Sequence, residues 1–157
     1  MKKILFLILI HIIFGCKEVK VPKEVTLAMD NINEEVDYNI HVKKILSDKC
    51  FSCHGNDAKK QKADLRLDIA EAAYSKKTES GMKAIVPGDI SNSDFVHRIL
   101  SDDPDYLMPE PSSHLTLTTY EKAVLVKWIK QGAKYKPHWA FVAPQKPQLR
   151  RLKTQVG

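Results

Sequence analysis

Residues 47–56 read SDKCFSCHGN, which sets Cys50, Cys53 and His54 at positions i, i+3 and i+4. On a helical turn these positions share one face, so a single turn presents two thiols and an imidazole to the same object. No other pattern in the chain constrains the fold as tightly. A chain built on it needs a helix running into residue 54 and a hollow beside that helix for whatever the three side chains engage. A flat prosthetic group, a zinc ion and a disulfide are the candidates.

The N-terminus bears on the compartment. Met1-Lys2-Lys3 is a short basic start, and Ile4 to Phe14 is an apolar run interrupted only by His11. A membrane-crossing helix needs about 20 residues, so this run fits the apolar segment of an export signal instead. It ends at Ile13-Phe14-Gly15-Cys16, resembling a bacterial lipoprotein signal in which a small residue precedes a lipidated cysteine. The alternative is a plain secretory signal with a chance cysteine. A lipidated Cys16 anchors the protein to a membrane without spanning it, and the expected location is the cell envelope or periplasm. It also accounts for an odd count of three cysteines, leaving Cys50 and Cys53 as a pair. Taking Lys2 and Lys3 from the net charge of +6 leaves +4, spread along the chain. No dense Lys/Arg stripe with interleaved aromatics is present, which argues against nucleic acid as a partner.

Four segments follow along the chain: an export signal over 1–15, a flexible tether over 16–35, one domain over 36–136, and a Pro- and Lys-rich tail over 137–157. The tether assignment rests on its polar composition and single proline. Within the domain, Tyr38, Val42, Ile45 and Leu46 recur at helical spacing up to the cysteines. Residues 55–88 read mostly as loop, with a short helix at 69–75 and a turn at Pro87-Gly88. Ser91 to Leu100 reads as a helix capped by Ser91 or Ser93, with Phe95, Val96, Ile99 and Leu100 as its apolar face. Thr118 and Glu121 form a capping box for a last helix that buries Val124, Leu125, Trp128 and Ile129 and stops at Gly132.

Cys50, Cys53 and His54 spell C-x-x-C-H, the attachment signature of c-type haem, with thioether bonds to both cysteines and the histidine as proximal iron ligand. Covalent tethering suits a small exported domain, and the macrocycle supplies apolar bulk to a core with only 8% aromatic residues. A structural zinc site needs four ligands; the other histidines of the domain and tail, His41, His97, His114 and His138, have no knuckle spacing. A thioredoxin-type redox pair needs a strand before the motif, where this sequence reads as helix. For the second axial position the candidate is Met108, in Tyr106-Leu107-Met108-Pro109-Glu110-Pro111, where the prolines stiffen an extended loop. Met82 and His97 are weaker rivals. Arg66 and Arg98 are candidates for pairing with haem propionates, since a guanidinium matches a carboxylate; solvated surface arginines are the alternative. Trp128 reads first as a core residue.

Together these residues resemble a class I cytochrome c, and more narrowly the planctomycete-type cytochrome c domain. The resemblance rests on Cys50-Phe51-Ser52-Cys53-His54-Gly55, Leu107-Met108-Pro109, the final Lys127-Trp128-Ile129-Lys130-Gln131-Gly132-Ala133, and the stretches 45–50, 62–68, 85–89 and 137–141. It covers about Val36 to Phe141. It implies an all-α fold of about four helices with long loops wrapped around one covalent haem. Cys50 and Cys53 would be its thioether links, His54 and Met108 its axial ligands. In that family the domain usually opens a longer chain, whereas this sequence stops at Gly157 soon after the junction. A fragment, or a chain split from a downstream domain, is the expectation.

The reading is an exported, membrane-anchored, mono-haem electron carrier with an unidentified redox donor and acceptor. No constellation of catalytic acid, base or nucleophile stands out, so an enzyme is not expected. Two other readings stay open: a haem enzyme or ligand sensor with an open distal site, and a non-haem, zinc-bound interaction module from a split multidomain protein.

Overall fold

The computed structural model describes residues 19–137 and Ala140. The expected signal over 1–15, Cys16 and nearly all of the 137–157 tail lie outside the described residues. Among those described, no helix is long and apolar enough to cross a membrane.

Six α-helices and no regular strand make up the described fold: α1 Lys23–Asp30, α2 Lys43–Lys49, α3 Phe51–His54, α4 Ala70–Ser75, α5 Asp94–Ile99 and α6 Thr119–Lys130. A π-helical turn over Tyr38–Val42 feeds directly into α2. Its free amides are capped by Asp37, whose Oδ1 accepts from Asn39 N at 2.8 Å and Ile40 N at 3.0 Å. The all-α expectation holds. Two more helices are present than expected, because α1 was read as tether and because Cys50 (φ −127°, ψ −38°) separates α3 from α2.

The expected flexible tether over 16–35 is corrected by α1. Val21, Val25, Met29 and Ile32 recur every three or four residues and all turn toward the core. Pro22 stands just before the first helical residue, where its missing N–H costs nothing. α1 packs along α6, and Lys127 Nζ on α6 donates to the carbonyls of Met29 (3.1 Å) and Ile32 at the end of α1. The polar composition concealed a single apolar stripe that has meaning only once α6 is there to receive it. The alternation over 63–68 makes no strand, and Ala63 (φ 53°) and Asp64 (φ 50°) are left-handed.

α6 is the centre of the core. Ala123 to Val126, Trp128 and Ile129 are all buried, so the helix is covered well beyond one narrow stripe. The capping box is formed: Glu121 N donates to Thr118 Oγ1 (3.2 Å) and Thr118 N to Glu121 Oε2 (2.7 Å). At the other end Gly132 takes φ 102°, and the amides of Gly132 and Ala133 return to the carbonyls of Ile129 and Trp128, both at 2.9 Å. Trp128 is a core residue, with its indole N–H on the Lys134 carbonyl at 3.2 Å and its ring against Tyr38 and Tyr135.

The docked α1 makes a direct prediction. Val25 is 2% exposed, so Val25→Ala removes buried apolar surface and leaves a small cavity, costing about 2 kcal/mol. Urea unfolding of the purified protein measures this as a lowered midpoint. An unchanged midpoint would return residues 23–30 to the role of tether.

Candidate functional site

The chain from α2 to α3 sets three reactive side chains at one edge of the fold. The amides of Cys53 (3.1 Å) and His54 (2.8 Å) both donate to the Cys50 carbonyl, so residues 50–54 form one tight turn, as the spacing predicts. Gly55 follows because the chain there runs against the Phe51 carbonyl, where any Cβ would collide with backbone. The next loop folds back on the turn: Lys62 N donates to Cys53 O (2.9 Å) and Leu67 N to His54 O (2.8 Å).

Beside this turn lies a cavity of ≈ 840 Å³, toward the upper end of the roughly 300–1,000 Å³ common for cofactor sites. Cys50, Cys53 and His54 line it on one side, and Met108 and Pro109, more than fifty residues later, on another. Leu65, Leu67, Phe95 and Ile99 supply apolar wall. The amide of Met108 donates to the Arg98 carbonyl at 3.1 Å, fixing that segment to the end of α5. Lys62 Nζ meets Glu110 Oε2 at 2.7 Å, joining the loop after the cysteines to the segment after Met108. Both partners are well exposed, so this pair contributes little to stability.

The side chains at the turn have the right chemical states for a haem. Cys50 and Cys53 are free thiols rather than a disulfide. Burial pushes the Cys50 thiol up to about 12, with Cys53 and Glu121 adding to the effect, so it stays protonated and quiescent at neutral pH. Burial pulls the His54 imidazole below its ordinary value against smaller opposing effects from Leu65 and Lys62. It is therefore neutral at pH 7, the form that has a lone pair for a metal. His54 Nδ1 is buried with no hydrogen-bond partner, an orphan polar atom of the kind that marks a functional position. Among the described residues no three His, Cys, Asp or Glu side chains converge to hold a metal ion.

The other candidates divide. Met82 and His97 do not line the cavity, and His97 Nε2 is engaged with the Ser91 carbonyl at 2.7 Å. Arg98 lines the cavity. Its Nε donates to Asp94 Oδ2 at 2.7 Å and its guanidinium lies 4.4 Å from the centre of the Tyr106 ring. Arg66 is placed elsewhere: it does not line the cavity, and it grips Asp68 with two hydrogen bonds of 2.7 and 2.6 Å. Its partner is thus a carboxylate two residues away, whereas Arg98 stands at the cavity.

Sequence reasoning missed Asp94 and Tyr106. Asp94 is fully buried, and accepts from Ser80 Oγ (2.8 Å), Arg98 Nε (2.7 Å) and the Tyr106 hydroxyl. The one signal available was an i, i+4 Asp–Arg pair on α5, which ordinarily reads as a solvated surface pair.

A helical domain with two thiols and an imidazole on one turn, facing a cavity walled in part by apolar side chains and with a methionine among its lining residues, has the make-up of a c-type cytochrome. Residues 50–112 match the family model described as Planctomycete cytochrome C. That stretch, less than half of the chain, is a planctomycete-type cytochrome c domain, and haem binding and electron transfer are its class of function. Among curated proteins and among solved structures, the comparisons returned no match. The matched stretch ends before α6, on which the core is built.

Acid stability follows from three carboxylates. Burial alone would raise the Asp94 carboxyl, but its hydrogen bonds from Tyr106, Arg98 and Ser80 outweigh this and hold it low. Lys136 lowers Asp37 and Arg66 lowers Asp68. Carboxyls depressed by folding add stability above their unfolded value of about 3.9, and this is lost as pH falls through the folded values. Thermal midpoints should hold level to about pH 5 and fall below about pH 4. Asp94→Asn should show a shallower acid drop. An acid limb identical to that of the unaltered protein would remove Asp94 from this account.

Proposed function

We propose that this chain is an exported, membrane-anchored, mono-haem c-type cytochrome that carries single electrons. Cys50 and Cys53 form the thioether links, His54 is the proximal ligand of the iron and Met108 the distal one. The observation that supports this best is the convergence of Cys50, Cys53, His54 and Met108 on one cavity from segments more than fifty residues apart in sequence. Bound haem supplies a one-electron iron couple, and methionine ligation raises its potential relative to a bis-histidine site.

The chain's own residues hold, orient and desolvate. The α3 turn sets both thiols and the imidazole on one side. Leu65, Leu67, Phe95 and Ile99 exclude water from the cavity wall, and a low local dielectric favours the less charged state of a buried redox centre. Arg98, held by Asp94 through Nε alone, keeps its outer nitrogens available for a propionate carboxylate. Cys16, lipidated, holds the domain at a membrane of the cell envelope, within reach of donor and acceptor proteins that dock through small, weak interfaces.

Redox titration of the mature chain, made where c-type maturation operates, tests the reading. The unaltered protein should show one reversible one-electron transition and a far-red methionine–ferric band. Met108→Ala should abolish the band and lower the potential. Retention of a six-coordinate spectrum and an unchanged potential in Met108→Ala would contradict the assignment, and an open distal site in the unaltered protein would favour a ligand sensor or haem enzyme. Cys16→Ser should move the protein from the membrane fraction to the soluble fraction; its persistence with the membrane would remove the lipid anchor.

A further inference from the structure

One buried carboxylate joins the segment that carries Met108 to α5 and to the loop before it. Ser93 and Asp94 are the buried polar residues of the described core. Ser93 serves its own neighbourhood: its Oγ accepts from Val86 N (2.8 Å) and donates to Asp89 O (2.7 Å), closing the turn before α5. Asp94 reaches further. Its Oδ1 accepts from Ser80 Oγ (2.8 Å), in the loop before α5, and from the hydroxyl of Tyr106, in the segment after it. Its Oδ2 accepts from Arg98 Nε, one helical turn on, and the Arg98 guanidinium covers the Tyr106 ring.

Tyr106 stands two residues before Met108. The stretch Tyr106–Met108 is therefore held to α5 at both ends, by the Tyr106 hydroxyl on Asp94 and by the Met108 amide on the Arg98 carbonyl at 3.1 Å. Residues 102–105, just before it, are exposed; the Asp103 carbonyl accepts from the amides of Tyr106 (3.0 Å) and Leu107 (2.7 Å), which closes a local turn rather than a tie to α5. A loop with few buried contacts opens at low cost unless specific bonds close it. A buried carboxylate that loses a donor is left partly unsatisfied, so the closed arrangement is strongly preferred over any in which Tyr106 swings away.

We infer that the Asp94–Tyr106 contact is a latch that keeps Met108 on the cavity wall, which makes Asp94 and Tyr106 positioning residues for the distal side. The inference rests on reading Met108 as the distal ligand. With the latch closed, an outside ligand must displace Met108 from an ordered segment. With the latch broken, Met108 spends more time away from the cavity and the outside ligand competes against a weakened rival.

The test uses ferric holoprotein titrated with imidazole, followed by absorbance, in five forms: unaltered, Tyr106→Phe, Asp94→Asn, Ser80→Ala and Met108→Ala. Tyr106→Phe should bind imidazole about tenfold more tightly than the unaltered protein, the scale expected for losing one hydrogen bond to a charged acceptor. Asp94→Asn, close in shape, should move the same way. Ser80→Ala removes a donor from the same carboxylate oxygen but keeps the Tyr106 hydroxyl on Asp94, and should shift imidazole binding much less than Tyr106→Phe does. Met108→Ala should bind most tightly. In Tyr106→Phe, amide hydrogen exchange at Met108 should accelerate while that of α6 stays the same. If Met108→Ala binds tightly but Tyr106→Phe and Asp94→Asn match the unaltered protein, the latch is overturned and the ligand assignment stands. If Met108→Ala also matches it, the reading of Met108 itself falls. If Ser80→Ala loosens the site as much as Tyr106→Phe, the effect is general softening and the latch is likewise overturned.

Discussion

The structure depends on a single helical turn that must show two thiols and an imidazole to the same side. That requirement fixes the path of the chain around it. The turn is closed by two amides on the Cys50 carbonyl, and the residue after it must be glycine because backbone stands where a Cβ would go. The loop from 55 to 68 has no helix or strand of its own, yet it returns its amides to Cys53 and His54 and puts Leu65 and Leu67 on the cavity wall. A structureless loop of this length is uncommon in a compact domain unless it encloses something.

The cavity needs a second side, and α5 provides it. Phe95, Arg98 and Ile99 face the cavity, while Asp94, at the start of the same helix, gathers Ser80, Arg98 and Tyr106. One short helix thus forms a wall and also anchors the loops on either side of it. The rigid part is elsewhere: α6, buried over most of its surface and capped at both ends, receives α1 along its length. Leu67, Phe95 and Ile99 belong to the same buried cluster as α6, whereas the Met108 segment is held chiefly by a few specific bonds rather than by bulk burial.

Much of this was legible in the residues. C-x-x-C-H carries its own geometry, because the i, i+3, i+4 relation holds on any helical turn. The T-x-x-E box and Gly132 marked both ends of α6, since capping is local chemistry. Pro109 and Pro111 beside Met108 marked a stiff loop. What was not legible depended on partners distant in sequence. The apolar stripe of α1 is short and diluted by charge, and only α6 gives it meaning. Arg66 and Arg98 look alike in sequence; one is held by a neighbour at Asp68, the other by a carboxylate that burial and a distant tyrosine turn into a hub. Asp94 itself looks like an ordinary acidic residue in the first turn of a helix, because nothing local announces that Tyr106 will fold back onto it.

The central claim is that Cys50, Cys53 and His54 hold a haem covalently. Intact mass of the mature chain, produced where c-type maturation operates and denatured in acid before measurement, tests it most directly. The account predicts one haem retained on the denatured chain, lost when Cys50 and Cys53 are both replaced by alanine. A denatured chain at its bare polypeptide mass, from cells that mature other c-type cytochromes normally, would contradict it.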